Sequence, residues 1–157
     1  MSGINRLAVV NGASSGLGAV FARQLAERGW DLLLVARRTD RLLALKSELE
    51  AKHRIAVDAL AADLADEAET HGVAERIAAE PRVELLVNNA GFGTLGMYHE
   101  TDYGRQEEMV RVHVLATMRL TRAALKAMIA RDRGAIINVS SVAGFARSVG
   151  NVSYCAT

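Results

Sequence analysis

The sequence predicts an α/β fold, a doubly wound parallel sheet, and three observations carry that prediction. Short apolar runs of strand length alternate with longer stretches in which apolar residues recur at helical spacing. Parallel strands need crossovers that return across the sheet, so this alternation covers both faces with helices. A glycine-rich turn, residues 11–18, follows the first apolar run, where sheets of this kind receive their ligands.

Leu7-Ala-Val-Val10 and Asp31-Leu-Leu-Leu-Val-Ala36 are near-continuous apolar runs suited to strands buried on both faces. Between them, residues 16–28 place Leu17, Val20, Phe21 and Leu25 at helical spacing, and Gly29 follows as a C-terminal stop. The alternation continues with a helix over about 40–53, a strand over 56–61, a helix over 65–79 and a strand over 84–88. A helical stretch over 103–131, expected to be broken once, then leads to a strand over 135–139. Trp30 and Phe21 read as core or strand-end packing. The whole chain, 1–157, is therefore expected to form one Rossmann-type dinucleotide-binding domain with strand order 3-2-1-4-5.

Composition agrees with one domain, since half of the 157 residues are apolar and only one is Pro. The 19 Lys+Arg nearly balance the 18 Asp+Glu, so no global field favours nucleic acid or an anionic membrane. No apolar run approaches membrane-spanning length, and Asn11 arrives too early for a secretory apolar core, so a cytoplasmic protein is expected. Cys155 is the only cysteine, and the four histidines have no zinc-ligand spacing, so no metal is expected. The Gly-rich stretch over 91–96 reads as a ligand-facing loop.

In Asn11-Gly12-Ala13-Ser14-Ser15-Gly16-Leu17-Gly18, glycines remove Cβ atoms where a pyrophosphate would approach backbone N–H groups at a helix start. The spacing differs from Gly-x-Gly-x-x-Gly, and it lacks the Gly-Lys-Ser/Thr ending of a triphosphate loop. Further segments follow in order. Asp63-Leu64 comes after the third strand, and Asn88-Asn89-Ala90-Gly91 ends the fourth. Ile137-Asn-Val-Ser-Ser141 ends the fifth, with Tyr154 thirteen positions beyond Ser141.

In order and spacing these segments resemble the short-chain dehydrogenase/reductase family. The resemblance implies a cofactor site of Gly12, Ser14, Ser15, Gly16, Leu17, Gly18, Asp63, Leu64, Asn89, Ala90 and Gly91, with Asp63 accepting from the adenine amino group. Read without the resemblance, Asp63 is a helix N-cap. The family usually has Thr where this chain has Asn11, and both side chains can hydrogen-bond locally.

The second strand ends in Ala36-Arg37-Arg38, whereas an acidic residue there would repel the 2′-phosphate of NADP. Arg37 and Arg38 can instead pair with that phosphate, so NADP(H) is the expected cofactor; Arg41 reads as a surface residue.

The resemblance further implies that Ser141 hydrogen-bonds the substrate oxygen while Tyr154 moves the proton. A free phenol has a pKa of about 10, so exchange near neutrality needs nearby positive charge. The family places a Lys four residues after its Tyr, and this sequence reaches only Thr157. The domain is accordingly expected to be C-terminally incomplete, with residues 135–137 as an apolar sheet edge. The full-length form is expected to be active and the 157-residue chain alone inactive.

His113 stands where the family commonly has Asn, whose backbone carbonyl holds a water of the proton relay. His113 keeps the carbonyl and adds a titratable ring, so it is read first as a structural substitution and, in the alternative of direct proton transfer, joins Ser141 and Tyr154 as a candidate catalytic residue. Cys155 reads as a small packing residue. Val110, Val114, Leu115, Met118 and Leu125 form an apolar face in a region the family uses for subunit association, implying a homodimer or homotetramer.

The expected function is reversible hydride transfer between NADP(H) and a small-molecule carbonyl or alcohol. A non-catalytic NADP(H)-binding protein is the second reading. A methyltransferase on a related sheet ranks last, since it leaves the paired arginines and the Ser/Tyr spacing without a purpose.

Overall fold

The computed structural model describes residues 6–146 and 149–157. Five strands, β1 (Leu7–Asn11), β2 (Asp31–Ala36), β3 (Val57–Ala61), β4 (Val83–Asn88) and β5 (Ala135–Asn138), form one parallel sheet. Their order is β3-β2-β1-β4-β5, the order expected from the sequence. The chain moves outward from β1 to β3 and then crosses to the other side of β1. The C-terminal ends of β1 and β4 therefore carry connections that run apart and leave a crevice.

Both β1 and β2 are buried at every position. Side chains alternate between faces along a strand, so a run without polar interruption supplies two cores at once. On one face, Val9 and Val35 pack with Val73 and Ile77 of α3 (Glu67–Ala78) and with Leu120, Ala124 and Met128 of α5 (Thr117–Ala130). On the other, Val10 and Leu34 pack with Ala22 and Leu25 of α1 (Gly16–Glu27) and with Leu42, Leu45 and Leu49 of α2 (Thr39–Lys52). Trp30 and Phe21 lie partly buried against this second core, with the Arg6 guanidinium 4.2 Å from the Trp30 ring centre.

One helical face and one expected break differ from the sequence reading. In α1 the buried positions are Gly18, Ala22, Leu25 and Ala26, while Leu17 and Val20 are 60% and 46% exposed. Apart from Leu25, the residues facing the sheet are small ones. The stretch over 103–131 is not broken either. Helix α4 (Tyr103–Val110) runs into α5 through a π-helical segment, Arg111–Ala116. The sheet-facing residues of this stretch are Val112, Ala116, Leu120, Ala124 and Met128, whereas Val110, Leu115, Met118 and Leu125 are exposed.

A 3₁₀ turn (Val142–Phe145) and the short helix α6 (Val152–Ala156) follow β5. Among the described residues, no helix is long and apolar enough to cross a membrane.

Candidate active site

The glycine turn leaves β1 directly over the end of β4. Gly12 has φ +68°, and a Cβ there would lie 2.7 Å from Asn89 Nδ2 and 2.8 Å from Ala90 Cα. A Cβ on Gly18 would collide with the Gly12 carbonyl oxygen. Gly18 is thus a packing position beneath the turn. It is the one expected cofactor residue that does not line the cleft.

Asn11 fixes this arrangement. Its Oδ1 accepts the amide hydrogens of Asn89 and Ala90 at 2.8 and 2.6 Å. Its Nδ2 therefore points the other way and donates to Asn88 Oδ1 at 2.8 Å. Asn88 Nδ2 donates onward to Asn138 Oδ1 at 2.9 Å and to Thr121 Oγ1 at 3.2 Å. Asn89 Nδ2 returns to the carbonyls of Asn11 and Gly12 at 3.2 and 3.3 Å. One oriented chain of amides joins the C-terminal ends of β1, β4 and β5, where buried polar groups must find partners.

At the C-terminal end of β2 the two arginines have separate partners. Arg38 Nη2 donates to Ser14 Oγ at 2.9 Å and to Ser15 Oγ at 2.7 Å, and its Nε reaches Ser14 Oγ at 3.2 Å. The guanidinium is thereby held beside the glycine turn, with hydroxyls rather than carboxylates around it. Arg37 Nη1 instead lies 3.6 Å from Asp63 Oδ2. Asp63 is not the helix cap: Asp66 caps α3 by accepting from Glu69 N at 2.8 Å. Asp63 Oδ1 accepts from Ala65 N at 2.9 Å, which leaves Oδ2 on the cleft side with Arg37.

At the opposite end of the cleft, Ser141 Oγ accepts from Ala143 N at 3.2 Å and caps the 3₁₀ turn. The Tyr154 ring meets the His113 ring edge to face, with centres 5.7 Å apart, and Phe92 meets His113 similarly at 5.9 Å. His113 sits in the π-helical segment, an irregularity frequent at functional sites. Its Nε2 accepts from Phe92 N at 3.1 Å, and its Nδ1 lies 2.9 Å from Thr157 Oγ1. Thr157 gives its own hydroxyl proton to Ser153 O at 3.0 Å. The assignment that satisfies all three is the neutral imidazole with its proton on Nδ1. Burial pushes the ring below the ordinary histidine range.

A single cleft of about 900 Å³ runs between these ends. Gly12, Ser14, Ser15, Gly16, Leu17, Arg37, Arg38, Asp63, Leu64, Asn89, Ala90, Gly91, His113, Ser141 and Tyr154 all line it. Among the described residues, no three His, Cys, Asp or Glu side chains converge as metal ligands. Reading the sequence alone missed Asn88 and Asn138 as structural amides and Thr157 as the partner of His113. Their only sequence signal is position, at strand ends and one helical turn past Ser153.

The model of the short chain dehydrogenase family matches residues 6–157. The chain is 35% identical to the NADP-dependent 3-hydroxy acid dehydrogenase of Schizosaccharomyces pombe, over 95% of this chain and 59% of that protein. It is 34% identical to the 3-oxoacyl-[acyl-carrier-protein] reductase of Bos taurus, over 98% of this chain and 64% of that protein. Among solved structures, a short-chain dehydrogenase from Sphingobium yanoikuyae in complex with NADPH superposes with a TM-score of 0.92 at 37% identity, covering 96% of this chain and 59% of that one. The bulky-bulky ketone specific alcohol dehydrogenase from Comamonas testosteroni gives 0.93 at 32% identity, covering 96% and 61%. The chain thus spans less than two thirds of the length of each of these proteins.

Proposed function

Because this chain belongs to the short-chain dehydrogenase family, we propose that it is the dinucleotide-binding portion of a longer NADP(H)-dependent oxidoreductase acting on a carbonyl/alcohol pair. The observation that carries the reading is the cleft itself, which joins the glycine turn and Arg38 at one end to Ser141 and Tyr154 at the other.

The residues present fit the dinucleotide. Gly12 and Gly18 keep the turn seated close on β4, and Ser14, Ser15 and Gly16 bring the start of α1 to the cleft, where a phosphate finds backbone N–H groups. Ser14 and Ser15 hold Arg38 through Nε and Nη2, which leaves its Nη1 hydrogens and its charge for a 2′-phosphate. Asp63 accepts from the adenine amino group, and Arg37 lies beside it. When bound, the nicotinamide supplies or takes up the hydride.

At the reacting end, the Ser141 hydroxyl donates to the substrate oxygen while its own lone pair holds Ala143 N. The Tyr154 phenol gives its proton to that oxygen in reduction, and its phenolate takes one from the alcohol in oxidation. His113 holds Phe92 and abuts the Tyr154 ring, so its role is to place the two rings rather than to carry the proton. The test is NADPH oxidation by the natural protein that contains this chain, assayed with a panel of aldehydes, ketones and quinones. Turnover with at least one carbonyl supports the reading. NADPH binding without turnover on any of them would favour a non-catalytic binding protein.

A further inference from the structure

Tyr154 is carried by α6, and a side chain of another element grips the residue before it. The grip comes from α4. Gln106 is 6% exposed, and the three hydrogen bonds of its carboxamide all lead to other segments. Its Nε2 donates to Tyr98 O at 3.0 Å and Thr101 O at 3.1 Å, and its Oε1 accepts from Ser153 Oγ at 2.6 Å. Ser153 is the residue before Tyr154.

A second route joins the same segments. Phe92 N donates to His113, His113 reaches Thr157, and Thr157 donates to Ser153 O. The loop after β4 is therefore tied to α6 from both of its ends, and both routes meet at Ser153. A carboxamide is the side chain that suits the junction. Glu has no donor for the two carbonyls, Lys has no acceptor for the hydroxyl, and an apolar residue leaves all three groups without this partner.

We propose that Gln106 is a positioning residue that couples the wall of the cleft formed by the loop after β4 to the helix bearing Tyr154, so that the two keep one fixed spacing. The consequence for turnover rests on the reading of Tyr154 as acid and base; the mechanical coupling does not.

The experiment uses the natural protein with Ser153→Ala, Gln106→Met, the double variant, and Ser153→Thr as the conservative replacement. Each of the first two is expected to lower kcat about tenfold by misplacing the phenol, with the NADPH dissociation constant unchanged. The double variant should lose no more than the worse single one, and Ser153→Thr should recover most of the rate. Amide hydrogen exchange reads the coupling without catalysis. Ser153→Ala should raise exchange at Thr101 as well as at Cys155, since their amides are held by Met97 O and Asn151 O in the two coupled segments. Additive kcat losses, or faster exchange confined to α6, would overturn the proposal. If Tyr154→Phe keeps its turnover while Thr101 and Cys155 still respond together, the proton-transfer reading fails and the coupling stands.

Discussion

The ring of His113 takes the amide hydrogen of Phe92 on Nε2 at 3.1 Å, and so keeps a neutral imidazole between Phe92 and Tyr154. A proton on Nε2 would have to displace that amide hydrogen. Burial lowers the pKa of His113 in the fold, whereas in the unfolded chain it titrates near 6.5. Below about pH 6.5, the unfolded state therefore binds a proton that the folded state refuses, and stability falls until the folded pKa is passed. Thermal melts between pH 8 and 5 should show this decline. In His113→Gln the decline should be shallower; an identical slope would mean that His113 does not contribute to it.

Arg38 and Arg37 should separate in their effect on cofactor choice. Arg38 is held by two hydroxyls beside the turn, while Arg37 has a carboxylate partner. Arg38→Ala is expected to cost about 1.5–3 kcal/mol of NADPH affinity with little change for NADH, as for loss of a charge-assisted contact. Arg37→Ala should cost less. Calorimetric titration of both cofactors checks the order, and equal losses from the two variants would assign the phosphate to both arginines.

In the natural protein that contains this chain, Tyr154→Phe should abolish carbonyl reduction and leave NADPH binding nearly intact, because the ring and its contact with His113 remain. Ser141→Ala should lower kcat in the same direction. Steady-state rates beside a binding titration separate the two quantities, and undiminished turnover in Tyr154→Phe would remove that phenol from the mechanism.

Asn11→Ala should destabilise the fold by about 1–3 kcal/mol, since it strips the amides of Asn89 and Ala90 of their acceptor. Asn11→Thr restores an acceptor and should recover part of the loss. Denaturant melts of the three proteins measure it. Equal stability of the Ala and Thr variants would show that the acceptor is not what matters.

Most of the fold was legible because β1 and β2 are written as uninterrupted apolar runs, and strand period alone then demands two covered faces. The turn, the arginines and the Ser141–Tyr154 pair stand in the sequence as local words, and all of them line one cleft. What escaped the sequence was whatever depends on which small residue touches what. Leu17 and Val20 have helical spacing yet stay exposed, because the face turned to the sheet is the one of Gly18, Ala22, Leu25 and Ala26. Likewise, Asn11 reads as a tolerable replacement until β4 is placed beside it. The role of Gln106 appears only when Tyr98, Thr101 and Ser153 converge on it.

The amide chain through Asn11 and Asn88 spans 77 residues of sequence in its first link. A peptide holding only the first strand, turn and helix would retain every letter of the glycine motif but none of the surface that shapes it, because β4 supplies that surface. The motif is thus not a portable module. Grafted into another protein without a strand ending in matching amides, it should fold as an ordinary loop, and shuffling at the boundary between the two halves should remove nucleotide affinity even when each half keeps its own helices.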